Sequence, residues 1–153
     1  VSRFWIASPY FVPNDEVVAA LQLAALRGVG VRVLLPANPD HWLVYLASFS
    51  YISRTAMDGI RFYRYTNGFM HQKTFLIDDK ASGVGTANLD TRSFRLNFEI
   101  TLLAINRDLA DKTAAMFERD FQQSILVSPD ELSKRNFFFR LGANAARLLS
   151  PIL

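Results

Sequence analysis

Apolar and polar positions in the first third of this 153-residue chain follow two periods. Phe4–Ser8 is a short apolar run stopped by Pro9 and Pro13, and Val31–Leu35 is a second. Runs of this length, apolar except for Ser8 and Arg32, are expected of strands covered on both faces. Between them Val17, Leu21 and Ala24 recur at helical spacing. Asn14 can cap that helix, Asp15 and Glu16 put negative charge on its first turn, where backbone N–H groups lack partners, and Gly28 and Gly30 end it. Strand, helix and strand in this order predict a right-handed parallel crossover with the apolar stripe laid on the sheet. A second helix is expected over Asp40–Met57, broken by Asp58-Gly59. A third strand follows at Ile60–Tyr65, and Thr66-Asn67-Gly68 makes the next turn.

Beyond that turn the pattern changes. Three strands are predicted near 72–78, 81–87 and 97–104, separated by a tight Asp78-Asp79-Lys80 turn and a short segment around Thr91–Phe94. A long helix over about Leu109–Leu126 follows, another starts at Pro129-Asp130-Glu131, and the tail Asn136–Leu153 mixes phenylalanines and leucines with Arg140 and Arg147. The expected architecture is α/β, a mixed β-sheet flanked by helices on both faces, in one domain over 1–153 whose helical tail occupies 130–153.

Composition narrows the function classes. With 50% hydrophobic residues the chain can bury a real core, and a net charge of +3 from 17 basic and 14 acidic residues is too small for a polybasic nucleic-acid arm. The absence of cysteine excludes a disulfide scaffold, a thiolate zinc site and a cysteine nucleophile. The apolar runs Val17–Leu26 and Trp42–Phe49 fall short of the roughly 18–20 residues a membrane span needs. Strand-like residues begin almost at Val1, so the sequence is expected to be a piece of a longer chain.

Chemistry concentrates in His71-Gln72-Lys73-Thr74-Phe75-Leu76-Ile77-Asp78, followed by Gly85-Thr86-Ala87-Asn88. Positions two apart on a strand share a face, so His71 and Lys73 project together, a nucleophilic imidazole beside an ammonium that can clamp an anion. That pairing suits phosphate. Asp78 has the opposite parity and is expected to make a structural hydrogen bond. Gly85 leaves room for a close backbone approach, while Asn88 and Thr86 can donate to phosphate oxygens. An attacking imidazole needs its other N–H held by an acceptor, and Glu99 is the candidate. Its neighbours Phe98, Ile100, Leu102 and Leu103 predict burial around that carboxylate.

The pattern HxKxxxxD, then Gly-Thr-x-Asn, with Glu99 beyond, resembles the phospholipase D superfamily. Pro9-Tyr10-Phe11-Val12-Pro13, Leu34-Leu35-Pro36 and the run from Ala87 through Asn97-Phe98-Glu99 extend the resemblance, over nearly the whole chain, to the catalytic C-terminal half of bacterial cardiolipin synthases. The resemblance implies a phosphatidyl transferase that joins two phosphatidylglycerol molecules into cardiolipin and releases glycerol. Its site would be built from two HKD motifs, one histidine forming a phosphohistidine while the other protonates the leaving alcohol. His71 would be nucleophile or general acid, Lys73 and Asn88 would hold non-bridging oxygens, Glu99 would orient the imidazole, and Asp78 would support the motif. No metal or other cofactor is implied. His41, the only other histidine, has no lysine two positions on, so the chain carries half a site. The partner would be a second HKD motif, from the rest of the same chain or from a homodimer, with anionic phospholipid at a membrane surface as substrate and no nucleic acid. The implied location is the bacterial cytoplasmic membrane, reached through segments outside this sequence.

Alternatives stay open. The motif also fits a phospholipase D-type phosphodiesterase or nuclease working as a homodimer, or a non-catalytic lipid-binding or pairing module. Tyr10 and Phe11 would line a headgroup pocket or staple the chain where it enters the helix. Arg92 would touch an anionic lipid or lie idle in water. The tail would lie at a membrane surface or pack on the core.

Overall fold

In the computed structural model residues 1–149 are described. The elements are β1 (Arg3–Ala7), β2 (Phe11–Val12), α1 (Asp15–Leu26), β3 (Gly30–Pro36), α2 (Trp42–Ala56), β4 (Arg61–Tyr65), β5 (Thr74–Ile77), β6 (Ala81–Gly85), β7 (Leu89–Asp90), α3 (Thr91–Arg95), β8 (Thr101–Ala104), α4 (Arg107–Gln122), β9 (Ser124–Leu126) and α5 (Phe137–Leu148). Seven strands form one sheet in the order β8-β6-β5-β1-β3-β4-β9. The β1-α1-β3 and β3-α2-β4 units are parallel crossovers, and β5, β6, β8 and β9 join antiparallel.

The alternation of side chains sorts the sheet into two cores. Val31, Val33, Leu35 and Phe62 point to α1 and α2, while Trp5, Ala7, Leu34 and Leu76 point to α4 with its buried Ala110 and Phe117. Helices therefore cover both faces. α1 starts where the capping logic puts it: the Asn14 carboxamide oxygen accepts from Val17 N at 3.2 Å, and Gly28, at φ +84°, carries the chain out of the helix in a conformation side chains rarely adopt. Leu21 is buried, with Val17 and Ala24 packed around it.

Several expectations are corrected. The helix predicted over Leu109–Leu126 stops at Gln122, and Ser124–Leu126 turns outward to pair antiparallel with β4. The free sheet edge offers that segment a ladder of hydrogen bonds, which outweighs its continuation as helix. Pro129-Asp130-Glu131 opens no helix; residues 129–134 form successive turns, and the Asn136 side chain caps α5 instead by accepting from Phe139 N at 2.8 Å. The strands predicted near 72–78 and 97–104 shorten to β5 and β8, leaving His71, Lys73 and Glu99 on extended segments just before them. Phe98, Ile100, Leu102 and Leu103 are not buried. They lie exposed along the edge strand β8 and its approach, with Phe98 fully open to solvent.

Candidate active site

The segment carrying the histidine is tied down by alternate residues. Met70 is buried against the α4 core, and the Gln72 carboxamide donates to Asp120 Oδ2 on α4 at 3.0 Å. Upstream, Thr66 N and Oγ1 both donate to the Gln123 carbonyl, and Asn67 Nδ2 donates to Gln123 Oε1. With 70 and 72 turned inward, parity aims 71 and 73 the other way. The His71 ring is exposed and stacks on Phe69, with centroids 5.6 Å apart and planes 21° from parallel. Lys73 Nζ reaches back to donate to the His71 carbonyl at 3.2 Å, which holds the ammonium beside the imidazole-bearing residue. Burial pushes the Lys73 ammonium below its ordinary pKa, against the opposing pull of Glu99, Asp40 and Asp90.

Lys73 and Asn88 share a cleft of about 230 Å³ that Ser8, Gly85, Phe94 and Thr101 also line. Asn88 also faces a second cleft of about 280 Å³ with Tyr10, His41, Arg92 and Asn97. It therefore forms the wall between the two. Its loop is fixed through the backbone: Asn88 N donates to Ser93 Oγ at 3.1 Å, Leu89 N to Ser8 Oγ at 3.0 Å, and Ser93 N to Asp90 Oδ1 at 2.6 Å. The short parallel pairing of β2 with β7 holds this loop against the one that carries Tyr10. The Asn88 side-chain oxygen is buried without a hydrogen-bond partner, a cost tolerated more readily at a binding site than in a core.

Glu99 departs from its expected position. It sits on the approach to β8, half-buried, where Oε2 takes a short hydrogen bond from the Thr86 hydroxyl and Oε1 accepts from Asn97 Nδ2 at 3.1 Å. Among the described residues no hydrogen bond joins it to His71; the Ser93 side chain is its further partner. The Thr86 and Asn97 bonds, aided by the Lys73 charge, hold its pKa below the ordinary glutamate value. Thr86 is corrected accordingly: its hydroxyl proton goes to Glu99 and its oxygen accepts from Ile100 N at 3.0 Å, so it is not a free phosphate donor. Asn97 was missed, although its spacing of two from Glu99 on an extended segment was a legible signal.

Asp78 lies at the other end of β5, about 16 Å from Lys73 at strand rise. Its Oδ1 accepts from Ser2 N (2.8 Å), Ser2 Oγ (3.0 Å) and Arg3 N (2.8 Å), and those bonds lower its pKa. The residue takes φ +53° to make the turn, so the acid of the motif ties β5 to the start of β1. A Cβ on Gly85 would fall 2.5 Å from the Ile100 carbonyl and from Thr101 Oγ1; the backbone it admits belongs to the approach to β8. Phe11 is corrected as a pocket residue: 1% exposed, it packs edge-on to Phe62 in the core. Tyr10 does face the second cleft, with its hydroxyl donating to Asp40 Oδ2 at 2.8 Å and its ring edge-on to His41. Burial and the Asp40 bond raise its pKa far above the phenol value. Arg92 is exposed at the rim of the second cleft. Among the described residues no group of three or more His, Asp or Glu is placed to hold a metal ion.

The arrangement can receive a phosphate: an ammonium and an amide line one cleft, and the ammonium is bonded to the backbone of the residue that carries an exposed imidazole. A family profile described as "Cardiolipin synthase, PLD-like domain" matches residues 1–121. The chain belongs to this family. Cardiolipin synthase A of Pseudomonas putida strain W619 is 53% identical to this chain over 151 residues, which is 99% of the chain and 32% of the relative. The corresponding protein of Pseudomonas entomophila is 50% identical over the same length. The chain thus spans about a third of the length of the curated relatives it matches. Among solved structures, phosphatidylserine synthase from Haemophilus influenzae superposes with a TM-score of 0.75 at 16% identity, covering 100% of this chain and 42% of that one. The phospholipase D family member Nuc from Salmonella typhimurium gives 0.70 at 20% identity, covering 82% of each chain. These two likenesses establish the fold, an α/β PLD-like domain.

Proposed function

We propose that this PLD-like domain supplies one half of a phosphatidyl-transfer site that makes cardiolipin from two phosphatidylglycerol molecules. The observation that carries the proposal is that Lys73 and Asn88 line one cleft while the Lys73 ammonium bonds the backbone carbonyl of His71, whose exposed imidazole stands on a segment fixed to α4. His71 is one of two imidazoles. One attacks phosphorus, forming a P–N bond as the bond to the glycerol headgroup oxygen breaks; the other gives its proton to that oxygen, and glycerol leaves. The second imidazole then takes the proton from a hydroxyl of the next phosphatidylglycerol, whose oxygen attacks phosphorus and breaks the P–N bond. Lys73 and Asn88 hold the non-bridging oxygens, on which charge builds in both steps. Donors fixed in advance in such a site lower each barrier by a few kcal/mol.

The second imidazole comes from a second HKD motif, in the remainder of the longer protein or in another copy. The exposed apolar edge formed by Phe98, Ile100, Leu102 and Leu103 supports this, since an uncovered apolar strand edge is a pairing surface. Glu99, half-buried on that side, orients an imidazole of the assembled site. Tyr10 and Arg92 contact the headgroup from the second cleft.

Product identity is the test. The longer protein, given phosphatidylglycerol vesicles, is expected to release one glycerol for each cardiolipin formed. Phosphatidate with free glycerol would mean hydrolysis instead, and cleavage of DNA by a purified dimer would mean a nuclease.

A further inference from the structure

Among the described helices α5 is the most amphipathic, and none of its residues lines the two clefts of the site. α5 packs on α2 through Phe139, Ala143 and Ala146, with the Phe139 ring edge-on to Phe49 at 5.0 Å. Its other side turns outward and is apolar: Phe137, Leu141 and Leu148, spaced by four and seven residues, form one stripe with Phe138 beside it, and each is more than half exposed. The charges carried by this segment share one sign. Residues 132–153 hold four of the chain's 17 basic residues and none of its 14 acidic ones. Lys134 and Arg135 are paired with Asp130 and Glu131, which leaves Arg140 and Arg147 to flank the stripe, Arg140 in open solvent and Arg147 over the Tyr51 ring. Leu141, Leu148 and Arg147 border a groove that Asp15, at the start of α1, closes on the far side.

We propose that the outer face of α5 docks on a bilayer surface rich in anionic phospholipid, with Phe137, Phe138, Leu141 and Leu148 entering the headgroup boundary and Arg140 and Arg147 meeting lipid phosphate. A phenylalanine- and leucine-lined face whose own helix carries two arginines and no acid, with Asp15 across the groove as the one carboxylate bordering it, is the pattern such a surface binds. The alternative occupant, the second half of the catalytic unit, has a different apolar surface at β8, on the sheet edge remote from α2 and α5. Docking here has a consequence for the site. α1 begins beside the groove, Glu16 in its first turn pairs with Arg95 of α3 at 3.3 Å, and the loop before α1 carries Tyr10, so the docked surface and the clefts share one end of the molecule. The inference uses the lipid substrate proposed above as its rationale, and its test reads binding without turnover, so either can fail alone.

Because the chain has no cysteine, Leu141→Cys and Leu102→Cys each accept a single environment-sensitive fluorophore, at α5 and at β8. With vesicles of phosphatidylcholine plus phosphatidylglycerol, the Leu141 label is expected to brighten and to be quenched by a lipid-borne quencher, and to do neither with phosphatidylcholine alone. Phe138→Ser combined with Arg140→Glu, both exposed and cheap to the fold, is expected to weaken vesicle binding about tenfold with an unchanged circular dichroism spectrum. Quenching at Leu102 without quenching at Leu141, quenching at neither, or full binding by the double variant would overturn the proposal.

Discussion

Asp78 shows how a residue conspicuous in a motif can serve the fold. Its carboxylate gathers three donors from Ser2 and Arg3, so Asp78→Ala is expected to lower stability by about 1–2 kcal/mol in chemical denaturation. Its folded pKa lies below the unfolded value, so the stability it adds is complete above about pH 4 and is lost as pH falls through the lower, folded value. Asp78→Asn should therefore flatten the acid limb of the melting-temperature profile below about pH 4 and leave the neutral limb parallel to the wild type. Parity alone separated this residue from His71 and Lys73, because the rule of two survives even where the segment is extended rather than paired. Parity did not reveal Thr86 as Glu99's partner. That contact depends on how β6 registers with β8, with Gly85 opposite Thr101, and register is set by pairing rather than by local sequence.

At the scale of elements, α1 was legible from its cap and the parallel strands from their apolar runs, whereas α4 and α5 start at caps, Asn106 and Asn136, that the pattern did not mark. Asn14, with Asp15 and Glu16 behind it, placed α1 to the residue. What the pattern hid were segments whose conformation is decided by a neighbour. Ser124–Leu126 is helix-compatible locally and becomes a strand only because β4 has a free edge. Phe11, apolar between two prolines, belongs to the core because β2 pairs with β7, a two-residue ladder with no sequence signature. The close crossing at Gly85 gives a sharp prediction for this scale. Gly85→Ala would bring a methyl group within 2.5 Å of the Ile100 carbonyl, which is backbone and cannot swing aside. It is expected to cost about 2 kcal/mol and to shift Glu99 with the approach to β8. Loss of activity out of proportion to the drop in melting temperature would show that this shift reaches the site.

For the whole molecule, a half-site explains what a self-contained domain does not: an apolar sheet edge left open and a histidine standing in solvent. Composition predicted a core of ordinary size and found one, but composition could not say that Ile100, Leu102 and Leu103 would lie outside it, because burial against an absent partner looks the same in sequence as burial within the chain. Leu102→Lys, on the exposed edge strand, is expected to leave the stability of the chain within about 0.5 kcal/mol and to abolish the pairing proposed for that edge, read by sedimentation velocity. Turnover by the longer protein carrying that change should fall with pairing.

The central claim is that His71 is one of two imidazoles acting on phosphorus. Headgroup exchange on phosphatidylglycerol vesicles by the longer protein, with and without His71→Ala, tests it most directly. The account predicts a fall of roughly 10³-fold or more at unchanged stability; turnover near the wild-type rate would contradict it.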